Sequence, residues 1–385
     1  MEGLEGKHIC FVTAIPMTVE VFLIDVIKGL HERNDVTVIT GTDDPSFLKR
    51  YGLDVRVLPV KIERKIAPIK DIATLWHLFR YFRSLPFDLV HSLTPKAGLL
   101  SMMAAMCARI PIRIHTFTGQ VWATKNGAKR YLLKSMDRLI VSCATHILAD
   151  SPSQAAFLVS EGVVKGESIL VLGNGSISGV DTGRFSMDLK ARYDIRERLG
   201  INEEDTVFLF LGRLNLEKGL IDLANAFVRL TERYRGIHLI VAGPDEEDMG
   251  KRMSSICKER LHIIGVTYEP ERFMSASDVF VLPSYREGFG LSIIEAASVG
   301  IPAIGSRIYG ITDAIVDGET GLLFESGNVS DLASQMELMI KSPDLREKMG
   351  RAAKERVKRE FSRKMMIDAY MAFYMDLLRQ CNLHA

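Results

Sequence analysis

Two carboxylates, Glu287 and Glu295, bracket a glycine turn in the string Tyr285-Arg286-Glu287-Gly288-Phe289-Gly290-Leu291-Ser292-Ile293-Ile294-Glu295. The spacing suits one long ligand with hydroxyls at both ends and phosphate between them. Gly288 and Gly290 let the backbone come close to such a ligand, and free amides at a helix start carry partial positive charge. Glu295 falls about six residues into the helix, hence about 9 Å along the axis at about 1.5 Å per residue. Each carboxylate can accept hydroxyl hydrogen bonds while the amides of Gly288, Phe289, Gly290 and Leu291 hold a diphosphate. Taken singly, either glutamate could equally be a solvated acid at a helix entry, where the dipole favours it. A second set lies upstream, in Gly212-Arg213-Leu214-Asn215-Leu216-Glu217-Lys218-Gly219. Arg213 offers a planar fork of donors and Lys218 a mobile point charge, the complements of a leaving diphosphate. In isolation both would be ordinary loop cations. The lysine precedes the second glycine, so the loop is not of the Walker A kind.

Both sets need a strand to end and a helix to begin at the right place, and the flanking pattern supplies this. Residues 279–283 form a short apolar run of strand type, and 291–299 carry apolar positions at helical spacing. Residues 206–211 form another such run, followed by Leu220, Leu223, Phe227 and Leu230 at helical spacing. Along the whole chain strands are predicted over 8–13, 35–40, 55–60, 89–93, 112–115, 146–149 and 169–172, then over 206–211, 237–242, 261–264, 279–283, 303–306 and 321–324. Helical segments alternate with them, so the fold class is α/β, with parallel sheets covered on both faces. Two similar Rossmann-like halves emerge: a first domain over 1–172, a polar crossing over 173–202, and a second domain over 203–361. Open sheets of this kind bind ligands beyond the carboxyl ends of their strands, so a cleft between two facing units is expected.

Composition narrows the function classes. Lys plus Arg number 49 against 48 Asp plus Glu, a balance that does not suggest a nucleic-acid partner. The charge is unevenly placed, with 21 basic and 16 acidic residues in 1–172 and 28 against 32 in the remainder. The basic half is the candidate for meeting anionic lipid. Five scattered cysteines show no zinc or redox spacing, and the absence of a secretory signal makes the cytosol the default. The longest uncharged apolar stretch, 97–108, is too short to span a bilayer, so membrane contact would be peripheral. Ile72, Leu75, Trp76, Phe79 and Phe82, flanked by Lys70, Arg80 and Arg83, describe either a packed helix or one lying on an anionic membrane. Lys125, Lys129, Arg130 and Lys134, around Trp122 and Tyr131, are either a seat for an acceptor diphosphate or a solvated basic face. Neither half has the Gly-x-Gly-x-x-Gly of a dinucleotide enzyme. No Asp-x-Asp motif follows a strand, and Asp245-Glu246-Glu247-Asp248 has the character of an acidic helix start. No metal and no cofactor is therefore expected.

The string from Tyr285 through Gly300-Ile301-Pro302 closely resembles the Glu-x7-Glu signature of the retaining glycosyltransferases of family 4, on the GT-B fold. The resemblance implies that Glu295 binds the nucleotide ribose, that Glu287 contacts the donor sugar, and that Arg213 and Lys218 clamp the diphosphate beside Gly212. It also implies that main-chain groups near Gly265 and Val266 read the base, and that the last helix, 362–385, returns to the first domain. His115 closes the predicted strand 112–115 and opens the loop His115-Thr116-Phe117-Thr118-Gly119, which looks like the family position whose histidine approaches the donor sugar. Thr13-Ala14-Ile15-Pro16-Met17-Thr18 replaces the paired glycines often found in the family's first loop. That segment, His91 to Gly98 and Gly173 to Asp181 resemble a subgroup that adds a hexose or N-acetylhexosamine to polyprenyl-diphosphate saccharides. Acceptor contacts are accordingly expected at Thr13, Lys96, Thr118 and Asn174, the donor is expected to be UDP-linked, and the enzyme is expected at the inner face of a membrane. The competing classes are a sugar-nucleotide epimerase or hydrolase on the same fold and a non-catalytic sugar-nucleotide-binding protein.

Overall fold

A computed structural model describes residues 6–63 and 66–382. The chain forms two compact units, one running to Ser178 and resuming at Lys364, the other spanning Gly179–Arg363.

The first unit is a seven-stranded parallel sheet built from β1 (His8–Val12), β2 (Asp35–Thr40), β3 (Arg56–Pro59), β4 (Leu89–Leu93), β5 (Ile112–Phe117), β6 (His146–Ala149) and β7 (Ile169–Val171). The order is β3-β2-β1-β4-β5-β6-β7, so the winding reverses between β1 and β4. Strands covered on both faces need apolar side chains on both. Thus Cys10 and Val12 belong to one buried cluster, and Ile9 and Phe11 to the cluster on the opposite face. The helix Arg363–Asn382 joins the second of these through Met366, Tyr370, Tyr374, Leu377 and Leu378. The Tyr374 hydroxyl lies 2.6 Å from His91 Nδ1, and His91 Nε2 lies 2.7 Å from the Thr116 hydroxyl. Residues 383–385, in which the expected last helix ends, lie outside the described residues.

The second unit is a six-stranded parallel sheet of β8 (Thr206–Leu211), β9 (Ile237–Ala242), β10 (Leu261–Gly265), β11 (Val279–Leu282), β12 (Ala303–Ser306) and β13 (Gly321–Phe324). Its order is β10-β9-β8-β11-β12-β13, with the reversal between β8 and β11. Those two strands carry the two motifs at their carboxyl ends, where sheets of this winding bind ligands.

The polar segment 173–202, expected as a linker, divides between the units instead. Ser176 N donates to Asp150 O at 2.7 Å, and Ile177 lies in the same cluster as Met366, which holds 173–178 to the first unit. Val180 enters the core of the second. The helix Leu189–Leu199 docks there through Arg196, which is 2 % exposed and donates to Ala276 O at 3.0 Å and to Asp278 at 2.7 Å. Polarity misleads here because this helix buries a guanidinium beside a short apolar stripe of Ala191, Ile195 and Leu199.

Candidate active site

The loops after β8 and β11 are locked together. Gly219 adopts a left-handed φ of 68° as it opens the helix Leu220–Thr231, and a Cβ there would press onto the carbonyl oxygen of Pro283. Only glycine meets both demands. Tyr285 N donates to Glu217 O at 2.9 Å, and Arg286 reaches the Glu217 carboxylate at 2.7 Å. At this seam Lys218 Nζ forms an ion pair with Glu287 Oε1, across 69 residues of sequence, and the Ser284 hydroxyl donates to the same oxygen at 2.7 Å. Both side chains are largely shielded, at 17 % and 14 % exposure, so the pair is screened less than a surface one.

Glu287 is followed by the turn to the helix Leu291–Val299. Gly290 has φ 90° at the N-cap and no side chain caps the helix start, which leaves first-turn amides for a ligand. Phe289 is 4 % exposed and packs edge-on against Phe361, with ring centroids 5.2 Å apart. It can therefore meet a ligand through its main chain only.

Arg213 does not join the Lys218 pair. Its Nη1 donates to Glu246 at 3.0 and 3.2 Å, and Asn215 donates to Glu246 at 2.9 Å. The acidic run after β9 is thus more than a helix start. Asp245 performs that task, accepting from Met249 N at 2.8 Å and Gly250 N at 2.9 Å, while Glu246 and Glu247 turn to the loop after β8. No local pattern predicted this, because it follows from β9 lying next to β8.

Glu295 is half-buried, and burial pushes its carboxyl up to about 8, against the opposing pull of Arg184 and Arg363 and with added repulsion from Glu271. Arg184 donates to Glu271 at 3.1 Å and to Tyr268 O at 2.9 Å, so it ties down the segment that follows Gly265 and Val266. Gly265 O accepts from Gly243 N at 2.8 Å, and Val266 is exposed. Arg184, Glu271 and Tyr268 escaped the sequence reading because Arg184 lay in the segment read as a linker.

In the first unit, the hydroxyl of Thr13 lies 3.0 Å from that of Thr40, and Lys96 pairs with Asp71 at 2.6 Å. Asn174 is exposed and Thr118 half-buried. His115 departs from expectation. Strand β5 continues to Phe117, so His115 lies within it, and Thr118 follows the strand. The imidazole is wholly buried, with Nδ1 2.9 Å from the Ser92 hydroxyl, and burial pushes its pKa down to about 3. It fills the space left by Gly98, where a Cβ would overlap the ring. The basic face around Trp122 is also partly committed, since Arg130 and Lys134 each reach Glu161 at 2.6 Å and stand over the indole. Among the described residues no three His, Cys, Asp or Glu side chains gather as a metal-binding set.

The family description "Glycosyl transferase 4-like domain" matches residues 18–175, and "Glycosyl transferases group 1" matches residues 191–356. The chain is 31 % identical over 360 residues to the capsular polysaccharide biosynthesis glycosyltransferase CapM of Staphylococcus aureus, covering 92 % of this chain and 93 % of that protein. It is 27 % identical over 327 residues to the UDP-Gal:alpha-D-GlcNAc-diphosphoundecaprenol alpha-1,3-galactosyltransferase of Escherichia coli, covering 82 % of each. Among solved structures, Anabaena HepE in complex with UDP and glucose superposes with a TM-score of 0.80 at 18 % identity, over 96 % of this chain and all of that one. With a strand order, a switch-point site and a full-length relative in agreement, the chain belongs to the family 4, group 1 glycosyltransferases of the GT-B fold.

Proposed function

We propose that this glycosyltransferase moves a hexose or N-acetylhexosamine from a UDP-sugar to a polyprenyl-diphosphate-linked saccharide, with retention of anomeric configuration and without a metal or other cofactor. The observation that carries this reading is the meeting of Lys218 and Glu287 at the uncapped turn into the helix Leu291–Val299. As the glycosidic bond breaks, negative charge grows on the β-phosphate, and fixed donors aimed at it lower the barrier. Arg213, Lys218 and the amides from Gly288 to Leu291 supply those donors. Lys218 exchanges Glu287 for the diphosphate, which frees Glu287 to accept from sugar hydroxyls, and Glu295 accepts from the ribose. Main-chain groups of Gly265 and Val266 face the base. Departure and attack on one face of the sugar need no second carboxylate nucleophile.

Thr13, Lys96, Thr118 and Asn174 form the acceptor side of the reaction. His115, bonded to Ser92 beneath the first turn of the helix Pro95–Cys107, supports that side from within. The named relative from Escherichia coli, which acts on a diphosphoundecaprenol-linked sugar, favours a lipid-linked acceptor. So does an exposed apolar stripe. On the helix Pro68–Ser84 Leu78 and Phe82 are buried, whereas Ile69, Ile72 and Trp76 face outward at 86, 68 and 52 % exposure, with the Arg80 guanidinium 4.7 Å over the Trp76 ring. Such a face suits shallow burial in the cytoplasmic leaflet of an anionic membrane. No helix among the described residues is long and apolar enough to cross a membrane.

The test is a thermal-shift panel of UDP-, GDP- and ADP-sugars followed by transfer in EDTA. Selective stabilisation by a UDP-sugar and full turnover in EDTA are the expected results. Stabilisation by another nucleotide alone would overturn the donor, and turnover restored only by a divalent ion would overturn the metal-free mechanism.

A further inference from the structure

Glu246 sits opposite Arg213, and main chain rather than side-chain reach fixes their separation. The ladder between β8 and β9 runs on past both strand ends. Gly212 N donates to Ala242 O at 3.1 Å, Leu214 N to Pro244 O at 2.8 Å, and Glu246 N to Leu214 O at 3.0 Å. Gly243 permits this approach, since a Cβ there would overlap the carbonyl oxygen of Gly212. Only glycine lets the two loops close to such a distance.

The guanidinium meets Glu246 through one nitrogen. Nη1 donates to both carboxylate oxygens, at 3.0 and 3.2 Å, while Nε and Nη2 take no partner among the described residues. A bidentate pair would occupy the donors that a diphosphate needs, whereas this one leaves two nitrogens of the fork for it. Glu246 is held from a second side, by Asn215 Nδ2 at 2.9 Å. Asn215 is 7 % exposed, and its Oδ1 is buried without a partner. Such an acceptor is unfavourable, yet turning the amide round would set that oxygen against the Glu246 carboxylate. The loop thus tolerates an unpaired group at the place where it keeps Glu246 aimed at Arg213. The neighbouring Glu247 has a different task, accepting from Leu216 N at 2.9 Å and receiving no bond from Arg213.

We propose that Glu246 is a positioning residue for Arg213, anchoring one guanidinium nitrogen so that the other two meet the leaving diphosphate already oriented. The proposal rests on Arg213 binding the donor diphosphate, as proposed above. Donors fixed in advance lower a barrier more than mobile ones, because nothing has to reorganise as charge grows on the phosphate. The Arg213 side chain is 40 % exposed, so without Glu246 it would be free to sample other rotamers. A carboxylate that merely competed with the phosphate for the guanidinium would have the opposite effect on nucleotide affinity.

The test is a double-mutant cycle of Glu246→Gln and Arg213→Lys, with Glu247→Gln as the neighbouring control, read by steady-state transfer and by calorimetric titration of UDP, GDP and ADP. In Glu246→Gln, kcat/KM for the donor should fall about tenfold, and the nucleotide that binds the wild type should bind more weakly. In the Arg213→Lys background the same change should cost less than about twofold, because the fork it orients is gone. Glu247→Gln should stay within about twofold of the wild type. Additive losses in the double variant, or equal losses in Glu246→Gln and Glu247→Gln, overturn the proposal, since the acidic loop would then act through its charge or its folding alone. Tighter nucleotide binding by Glu246→Gln also overturns it, marking this carboxylate as a competitor. An Arg213→Lys enzyme indistinguishable from the wild type would instead defeat the diphosphate clamp, and the role of Glu246 with it.

Discussion

The two units share one winding rule and treat their helix starts in opposite ways. In the second, both helices beside the reversal point are entered through a left-handed glycine with no side-chain cap, Gly219 before Leu220–Thr231 and Gly290 before Leu291–Val299. In the first, the helices Pro16–Phe22, Pro68–Ser84, Pro95–Cys107 and Pro152–Ser160 each begin with proline. Proline has no N–H, so such starts offer fewer amides to an anion. The difference teaches that helix starts beside the reversal point of the second unit offer more backbone amides to an anion than those of the first, where side-chain cations such as Lys96 would have to meet one. Buried polar groups follow the same division. Lys218 and Glu287 meet where a ligand can reach them, while His91 and His115 are sealed in the sheet of the first unit.

The strongest way to break this contrast is to remove the charged seam of the second unit. Lys218→Ala should lower kcat by about 10²–10³-fold, in line with the loss of one preorganised donor at a developing oxyanion, and Glu287→Gln should lower it as well by weakening the acceptor for the sugar hydroxyls. Lys96→Ala should act chiefly on acceptor KM. Steady-state kinetics in both substrates checks this, and a Lys218→Ala enzyme altered only in acceptor KM would invert the assignment of the units.

Two glycines probe the packing beneath each site. Gly98→Ala drives a methyl group into the His115 ring, and Gly219→Ala drives one onto Pro283 O while forcing a left-handed backbone. Each should cost about 1–3 kcal/mol in urea unfolding, as overpacking does. Only Gly219→Ala should also weaken UDP binding, since it alone parts the two donor loops. A smaller effect is expected of Arg213→Lys. It retains the charge but loses the fork held by Glu246 at 3.0 and 3.2 Å, so kcat/KM for the donor should fall about tenfold.

The mildest signature is a pH slope. Glu295 has its pKa raised to about 8 from an ordinary 4.5, so its contribution to stability is fully present below about 4.5 and is lost as pH rises through about 8. Glu295→Gln, neutral throughout, should therefore gain in thermal midpoint relative to the wild type between pH 6 and 9, with the gap closing towards pH 4.5. The wild type's donor KM should fall over the same range as the ionised carboxylate forms and accepts from the ribose. Differential scanning at several pH values, with and without UDP, reads both trends.

Much of the proposed donor side was legible in the chain. Residues 206–211 and 279–283 are apolar runs because parallel strands are buried on both faces, and each is followed at once by glycine and charge. The proposed acceptor side was harder to see. His115 looked like a strand-end residue because the apolar run around it is interrupted, yet β5 extends through His115 and Thr116 to Phe117, with the Thr116 hydroxyl and His115 Nδ1 partnered by His91 and Ser92 from β4. The stripe on Pro68–Ser84, open in the sequence to either a packed or a membrane-facing reading, divides between the two, with Phe82 buried and Ile72 and Trp76 exposed, since a helix apolar on more than one side does not declare which side packs.

The order of strand, turn and helix at each motif was determined by the sequence alone, because burial periodicity and backbone freedom are short-range properties. Which charges meet was decided by tertiary structure. Lys218 finds Glu287, and Arg213 finds Glu246, only because β11 and β9 flank β8, and electrostatic partnership depends on distance in space rather than along the chain.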